Sequence, residues 1–464
     1  MHKLYYQPAG FWFGDCMPFG KGDEFYLFHQ RDTRKPGPFG EPFGWDLATT
    51  KDFVHYEDKG VAIPRGGDDE QDQFIFAGSV FEDKNHVYHA FYTGYNRDYP
   101  KQGKASQVLM HATSNDLLHW TKSYETLTFT PQPGYDKDDW RDPFVIYEED
   151  KDRYRLILGG RKINGKKLIN GCTVQFFSED LKQWTFGGQF YAPELYTMHE
   201  MPDLFKMGDW WYHIITEYSD KSKMAYRMSK SLDGPWITPY DDALDGRAYY
   251  AGRTFCLNGE RIVFGWVPTK QGCDDLNNFE WAGTFMPHRV VQREDGTLGA
   301  LPVRGILEAF NDSQDVKSFS LSGVGKVSEK EVATDTGDVF KLEADCSFSE
   351  GTKDARINFY RNSDTGEAYS FHLLFEEDRI LFDKIPNQPW FQCMNIGLER
   401  PFRFKCGEKF HITLIVDDTI ATLYVNDTAL NSRFYRKFGQ SVSVGVYSGS
   451  VEMENVRISV GLKE

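Results

Sequence analysis

The sequence predicts an all-β protein in which a five-bladed β-propeller is followed by a C-terminal β-sandwich. Three observations predict this fold class: a high aromatic content, a phrase that recurs at regular intervals, and a change of pattern near residue 310. Aromatic residues make up 16% of the chain, and aromatic and β-branched side chains favour strands. Because 464 residues exceed one ordinary core, two domains are expected.

The recurring phrase runs from small or polar residues to a hydrophobic residue and then to an aromatic residue. It occurs as ATTKDFVHYED (48–58), ATSNDLLHWTK (112–122), FFSEDLKQWTF (176–186) and RMSKSLDGPWIT (227–238). The aspartates of the first three copies, Asp52, Asp116 and Asp180, lie 64 residues apart (116 − 52 and 180 − 116). The fourth copy comes early and lacks the aspartate. A repeat of this length indicates a series of similar structural units.

Short apolar runs follow the same interval. Five of them come directly after turn signals: FYLFHQ (25–30), VYHAFYTG (87–94), YRLILGG (154–160), WYHIITE (211–217) and RIVFGWV (261–267). Five more come just before those turns: WFGDCMPF (12–19), IFAGSVF (75–81), RDPFVIY (141–147), MPDLFKM (201–207) and AGRTFCL (251–257). Several strands per repeat, without a pattern of helix length, predict five propeller blades. A sandwich with accidental internal similarity is the alternative.

The pattern changes after about residue 310. The stretch NDSQDVKSFSLSGVGK (311–326) is polar and rich in Gly and Ser, and we interpret it as a bridge. Eight alternating runs follow: DVFKLEADCSFS, ARINFYRN, AYSFHLLFEE, DRILFDKI, FHITLIVDD, IATLYVND, VSVGVYSG and VEMENVRISV. Alternation with Asn, Asp and Gly turns is typical of a β-sandwich. The predicted domains are therefore a propeller over 1–310 and a sandwich over 311–464.

Charge and cysteine content exclude several classes of function. The net charge of −16 repels phosphate backbones and anionic membranes, so we expect neither a nucleic-acid nor a membrane partner. The start MHKLYYQPAGFW lacks the apolar core of a signal peptide. Seven scattered cysteines without C-x-x-C spacing indicate no disulfide framework and no zinc site. We therefore expect a cytoplasmic protein without cofactor or metal; a secreted chain whose signal peptide has been removed is the alternative.

Acidic residues recur on the first strand of the predicted blades. Asp15, Ser79, Asp142 and Asp203 hold matching places at intervals of 64, 63 and 61 residues (79 − 15, 142 − 79 and 203 − 142), and Glu200 lies three residues before the last. The first strand of each propeller blade lines the central channel, so these positions should converge on one pocket. Crowded carboxyls repel and raise each other's pKa, which proteins tolerate chiefly where function needs it. One ionised and one protonated carboxyl are the equipment of a glycoside hydrolase.

Each of these residues also has an ordinary structural interpretation. A lone aspartate in a turn usually caps the local backbone. Arg141 and Asp142 could form a local ion pair at a strand edge, and Glu200 could be a solvated loop residue. The functional interpretation depends on the three carboxyls meeting, not on any one of them.

At these residues the sequence resembles glycoside hydrolase family 32, the group of invertases, fructanases and sucrose-6-phosphate hydrolases. Trp-Arg-Asp-Pro at 140–143 is similar to the Arg-Asp-Pro box of the family, and Glu-Met-Pro-Asp-Leu-Phe at 200–205 to its Glu-Cys-Pro-Asp-Leu-Phe box. Gly78-Ser79 resembles the Ser-Gly-Ser box. FGWV (264–267), WAG (281–283) and the stretch 287–303 resemble the fifth blade. Members of the family carry a five-bladed propeller followed by a β-sandwich.

The resemblance implies a role for each of these positions. It implies that Asp15 is the nucleophile, Glu200 the general acid/base and Asp142 the transition-state stabiliser of a retaining β-fructofuranosidase. It further implies substrate-binding roles for Trp12, Gln30, Trp45, Ser79 and Arg141. The expected partner is a small carbohydrate.

The chain also departs from the pattern of the family. The opening box of the family reads Trp-x-Asn-Asp-Pro-Asn-Gly, whereas this chain has Trp-Phe-Gly-Asp-Cys-Met-Pro at 12–18. Trp45 is followed by Asp46 instead of Gly-His. We interpret the chain as a divergent branch with an altered sugar-binding shell.

Several questions stay open at this point. An inverting glycosidase of the arabinanase and xylosidase type, a fructoside-binding propeller without catalysis, and a fructosyltransferase are the alternatives. The sequence does not determine the linkage, the phosphorylation state of the substrate or the oligomeric state, and a homo-oligomer is one of the states it allows.

Overall fold

The computed structural model describes residues 2–123, 129–166, 168–217, 223–388, 391 and 396–463. The described chain is nearly all-β, as predicted, with 32 strands and one short α-helix, α1 (Arg304–Glu308). Three single-turn 3-10 helices span Tyr99–Gln102, Glu149–Lys151 and Gln271–Cys273. Of the helices in these ranges, not one combines the length and the apolar character needed to cross a membrane.

The first 301 residues contain four sheets built from strands that follow one another along the chain. The largest sheet joins two groups of four strands. The first group is β1 (Trp12–Lys21), β2 (Glu24–Asp32), β3 (Trp45–Thr50) and β4 (Tyr56–Ile63). The second group is β16 (Tyr250–Leu257), β17 (Glu260–Lys270), β18 (Phe279–Gln292) and β19 (Leu298–Leu301). A single residue pair between β1 and β18, Phe13 with Gly283, connects the groups.

The three remaining sheets of this part have the same order of strands. One contains β5 (Phe74–Glu82), β6 (Tyr88–Tyr95), β7 (Gln107–Ser114) and β8 (Thr121–Ser123). The next contains β9 (Tyr135–Glu148), β10 (Arg153–Lys162), β11 (Gly171–Ser178) and β12 (Thr185–Tyr191). The third contains β13 (His199–Met207), β14 (Trp210–Glu217) and β15 (Met224–Ser229). Each of the ten runs predicted to be a strand in this part is one.

The first strands of the five groups contact one another in a ring. β1 contacts β5, β5 contacts β9, β9 contacts β13, β13 contacts β16, and β16 contacts β1. Residues that are far apart in sequence therefore meet where these five strands meet.

The recurring phrase of the sequence forms a recurring turn. Asp52, Asp116 and Asp180 each accept hydrogen bonds from the backbone N–H groups two and three residues later, at 2.8–2.9 Å. The residue after each aspartate has a positive φ of 61–70°. In the fourth copy Ser231 stands at the place of the aspartate, and its hydroxyl accepts from the Asp233 N–H at 3.3 Å. A short polar side chain that satisfies local donors is the physical reason for the repeat.

Residues 310–462 form two further sheets. One contains β20 (Phe310–Val316), β21 (Phe319–Gly323), β23 (Val339–Phe348), β28 (Phe410–Asp417), β29 (Ile420–Val425), β30 (Thr428–Arg433) and β32 (Gly449–Leu462). The other contains β22 (Ser328–Ala333), β24 (Asp354–Arg361), β25 (Ala368–Leu374), β26 (Arg379–Ile385), β27 (Glu399–Pro401) and β31 (Ser441–Val446). A common core of buried apolar residues lies between them.

The interpretation of residues 311–326 as a bridge was wrong. β20 and β21 cover most of this stretch, and both pair with β32 at the edge of a sheet. The side chains of β20 between Phe310 and Val316 are exposed. An edge strand with one solvated face needs few apolar residues. The composition of such a strand therefore resembles that of a loop, which explains the wrong interpretation.

A buried carboxylate connects the chain start to the second part. Asp417, at the end of β28, accepts hydrogen bonds from the backbone N–H groups of Lys3, Leu4 and Tyr5 at 2.9–3.1 Å. This contact holds the segment before β1 against the C-terminal sheet.

One close backbone approach positions β13. An ideal Cβ on Gly159 of β10 would lie 1.9 Å from the carbonyl oxygen of His199. A Cβ on the neighbouring Gly160 would lie 3.4 Å from the Trp140 ring, which is an ordinary contact. Only glycine at 159 lets β13 reach its observed place.

We expect Gly159→Ala to lower the free energy of unfolding by about 2 kcal/mol or more, because the methyl group must push β13 away from β10. Urea unfolding at neutral pH measures this change. The matched control, Gly160→Ala, should stay within about 0.5 kcal/mol of the parent protein. Equal effects of the two substitutions would contradict the assignment.

Candidate active site

A cavity of about 550 Å³ opens where the five first strands meet. Five of the predicted site residues line it together: Asp15, Gln30, Arg141, Asp142 and Glu200. They come from β1, β2, β9 and β13.

A shift of strand register lies at the cavity in each of the five first strands. The shifts fall at 13–16 in β1, 76–78 in β5, 141–144 in β9, 200–203 in β13 and 250–253 in β16. An extra residue in one strand of a pair re-aims the neighbouring side chains. These irregularities turn the acidic side chains of β1, β9 and β13 toward the cavity.

Asp15 sits in the first of these shifts and is half-buried. The indole Nε1 of Trp266 donates to its Oδ1 at 3.0 Å. The side-chain amide of Gln30, oriented so that its oxygen accepts from the Ala77 N–H, donates to Oδ2 at 3.1 Å. Both oxygens of the carboxylate are therefore held by neutral donors.

Asp142 is buried and has a φ of 63°, which is unusual for a residue other than glycine. Its backbone N–H donates to Thr93 Oγ1 at 2.9 Å. The backbone N–H of Met201 donates to its Oδ2 at 3.0 Å. These bonds compensate for the strained backbone and tie β9 to β13.

Glu200 is held by side chains from two other strands. The guanidinium of Arg141 donates to its Oε1 at 2.9 Å, and the Tyr250 hydroxyl donates to its Oε2. Arg141 also donates to Asp139 at 2.8 Å. Arg141 and Tyr250 thus fix the direction of Glu200 at one wall of the cavity.

A fully buried arginine lies beneath the carboxyls. Arg253 of β16 donates to the backbone carbonyls of Pro202 at 2.7 Å, Asp142 at 2.9 Å and Pro143 at 3.3 Å. It therefore joins the strands that carry Asp142 and Glu200. Its charge also lowers the pKa of Asp15 and of Asp142.

Burial is the largest influence on these acids. It raises the pKa of Asp15 well above its ordinary value, and the charges of Asp142 and Glu200 raise it further. Burial also raises the pKa of Asp142 to about 6, against the lowering effects of Arg141 and of the Met201 N–H. The cluster therefore holds a proton more readily than isolated carboxyls do.

The structure does not bring the other three predicted residues to the cavity wall. Trp45 is fully buried and donates from Nε1 to the carbonyl of Phe76, a residue that does line the cavity. Ser79 is buried, and the ring of Trp12 lies under the Arg34 guanidinium at 4.6 Å.

Asp203, expected to converge on the pocket, points away from it. Its carboxylate is buried and accepts from the backbone N–H of Thr254. The register shift at 200–203 sends Glu200 toward the cavity and Asp203 beneath it. The spacing of residues in the sequence could not predict that the two side chains point in different directions. One inserted residue moves every following side chain to the opposite face of a strand.

Sequence reasoning also missed residues that shape the site. Trp266 and Trp281 lie in the stretches FGWV and WAG that resembled the family, but without an assigned role. Tyr250 and Arg253 lie at the start of β16, the first strand of the fifth group. Applying the repeat argument to that strand would have drawn attention to both.

The chain is similar to glycoside hydrolases in sequence and in fold. The family described as Glycosyl hydrolases family 32 N-terminal domain matches residues 6–302. The levanbiose-producing levanase of Bacillus subtilis (strain 168) is 23% identical over 95% of this chain and 86% of that protein. The sucrose-6-phosphate hydrolase of Escherichia coli is 24% identical over 92% of this chain and 87% of that protein.

Solved structures show the same fold. The crystal structure of fructan 1-exohydrolase IIa from Cichorium intybus in complex with 1-kestose has a TM-score of 0.82 at 16% identity, over 100% of this chain and 98% of that chain. The sucrose-6-phosphate hydrolase from Lactobacillus gasseri has a TM-score of 0.76 at 18% identity, over 99% of this chain and 93% of that chain.

We expect Asp142→Asn to raise the free energy of unfolding at pH 7.5 by about 1–3 kcal/mol, because ionising a carboxyl whose pKa is about 6 in the folded protein costs folding free energy that a neutral amide does not. The gain should shrink as the pH falls through 6 and vanish below about pH 4, where the wild-type carboxyl is protonated in both states.

Urea unfolding at pH 7.5 and at pH 4 measures this gain. Asp364→Asn, at an exposed turn, is the control and should change stability by less than about 0.5 kcal/mol at either pH. A gain that is as large at pH 4 as at pH 7.5 would show that ionisation is not its cause.

Proposed function

Because this chain belongs to glycosyl hydrolases family 32 and is a glycoside hydrolase, we propose that it cleaves β-fructofuranosidic bonds with retention of configuration. In this proposal Asp15 is the nucleophile, Glu200 the general acid/base and Asp142 the stabiliser of the transition state. The observation that carries the proposal is that these three carboxyls, from three different strands, line one cavity.

The proposed reaction has two steps. Asp15, ionised, attacks C2 of the fructosyl unit while Glu200 gives its proton to the oxygen of the leaving group, so the glycosidic bond breaks and an ester to Asp15 forms. Glu200, now ionised, then takes a proton from water, whose oxygen attacks C2 and releases fructose and free Asp15.

The contacts of the three residues suit these roles. Trp266 and Gln30 stabilise the ionised form of Asp15 and keep it aimed. Arg141 and Tyr250 hold Glu200 in one direction. Asp142, fixed by the backbone N–H of Met201, supplies negative charge where the sugar becomes positively charged in the transition state.

We also propose that residues 1–310 form a five-bladed β-propeller and residues 311–464 a β-sandwich. The ring of contacts among β1, β5, β9, β13 and β16 supports the blade count. The pairing of β20 with β32 from Phe310 onward supports a boundary near 310.

A cytoplasmic location is part of the proposal. In the part of the chain that the structure describes, six cysteines carry free thiols; Cys393 lies outside it. Free thiols persist in reducing compartments.

Asp15→Asn should lower kcat by a factor on the order of 10³ or more, because the amide cannot form the fructosyl ester. Fructose release from sucrose, 1-kestose, levan and inulin measures the loss. Circular dichroism and urea unfolding should show a folded protein. A folded variant that keeps full activity would refute the role of Asp15, and NMR of the first-formed anomer distinguishes retention from inversion.

Arg253→Met should move the acidic limb of the kcat/KM profile to higher pH by about one unit, since removing the buried positive charge raises the pKa of Asp15 and Asp142. Arg253→Lys keeps the charge but loses part of the carbonyl contacts, so its limb should stay in place while kcat falls. An unmoved limb in a folded Arg253→Met protein, or in a double variant with Asp203→Asn if the single variant unfolds, would contradict this role.

A further inference from the structure

We propose that the cavity selects substrates with a neutral leaving group and disfavours phosphorylated ones. This inference rests on the proposed function of the same cavity. Both kinds of substrate have to be considered, because similar proteins include both a levanase and a sucrose-6-phosphate hydrolase.

Acidic groups dominate the described lining of the cavity. Three carboxylates line it in addition to the three central ones: Asp138, Asp139 and Glu280. The positively charged side chains among the described lining residues are Arg141 and Arg247. Even with one central carboxyl protonated, acids outnumber arginines in this wall.

Both arginines already have partners. Arg141 donates to Asp139 and to Glu200. Arg247 lies at the rim, with its guanidinium 5.6 Å from the ring centroid of Phe279 and a hydrogen bond of 3.4 Å to the carbonyl of Ile396. Binding of a phosphate by either arginine would compete with these contacts.

Two of the outer carboxylates have neutral or more distant partners. Asp138 accepts from the hydroxyl of Ser106 at 2.6 Å and from its backbone N–H at 3.4 Å, and these donors are neutral. Glu280 lies 3.9 Å from Arg34 Nε, but Arg34 bonds more closely to Asp32, at 2.6 Å. Both carboxylates therefore contribute negative potential at the cavity.

The wall next to the nucleophile is aromatic. Trp281 fills the space beside Gly14, where an ideal Cβ would lie 2.8 Å from the indole. Phe39 contacts Trp281, Phe76 and Tyr95 edge to face. We call Trp281, Phe39, Phe76 and Tyr95 the aromatic wall. Flat rings pack against the apolar faces of sugars and provide no charge for a phosphate.

A phosphate dianion would enter this cavity against repulsion. Proteins bind phosphate through arginine or lysine side chains or through backbone N–H groups at helix N-termini. The described cavity wall has no lysine among its lining residues, and the residue that a helix contributes to it, Pro100 of the 3-10 helix Tyr99–Gln102, has no backbone N–H to offer a phosphate. A neutral sugar avoids the repulsion and keeps the aromatic contacts.

The test compares sucrose with sucrose-6-phosphate, which differ only in the phosphate. We expect kcat/KM of the full chain to be about tenfold or more lower for sucrose-6-phosphate. Raising the ionic strength from about 0.02 to 0.5 M should lower KM for sucrose-6-phosphate, because salt screens repulsion, and leave KM for sucrose unchanged.

A double variant tests the source of the selectivity. Asp138→Asn with Glu280→Gln should raise kcat/KM for sucrose-6-phosphate relative to sucrose severalfold. The matched control, Asp364→Asn with Glu294→Gln, removes two exposed carboxylates outside the cavity lining and should leave the ratio unchanged.

Equal or higher kcat/KM for sucrose-6-phosphate, or a KM for it that rises with salt, would overturn the inference. Loss of that activity in Arg247→Met would then identify Arg247 as a phosphate anchor. Failure of the proposed function has a different outcome, namely no fructose from any fructoside. In that case calorimetry with Asp15→Asn decides: tighter binding of sucrose than of sucrose-6-phosphate supports the inference, whereas weaker, equal or absent binding of sucrose overturns it.

Discussion

The crowding of three partly or fully buried carboxyl groups around one cavity is the constraint on which the rest of this structure depends. Asp15, Asp142 and Glu200 repel one another, and burial raises the pKa of the first two. The protein compensates with Arg141 inside the cavity and Arg253 beneath it. Such crowding of carboxyls costs folding free energy. It is typical of catalytic sites, where ionised and protonated carboxyls must coexist.

The repeating fold brings the acidic residues of distant strands together, and small irregularities in those strands turn their side chains toward the cavity. Regular strands would send alternate side chains to opposite faces. A register shift in every first strand breaks this alternation at the cavity. The positive φ values of Asp142 and Met201 lie within or beside two of these shifts. Part of the local backbone strain of the chain thus lies in residues that form or adjoin the site.

The altered opening box has a physical explanation in the packing of Gly14. Because glycine has no side chain, the indole of Trp281 lies directly against it. An asparagine at this position, as in the family, would collide with the ring. The space beside the nucleophile that a side chain at position 14 would occupy is therefore filled by an aromatic ring.

The sequence by itself determined the all-β class and the repeated strands, and it gave Asp15 and Asp142 matching places in the repeat, because turn chemistry, aromatic content and regular spacing are local properties. It also suggested Gln30 and Arg141, which line the cavity. Only the tertiary structure decided that Glu200 faces the cavity while Asp203 lies beneath it, that Trp45 is core, and that β20 is a strand. Register shifts and edge pairing depend on partner strands that are distant in sequence. The hydrogen bonds of Arg253 likewise join strands that come together only when the chain folds.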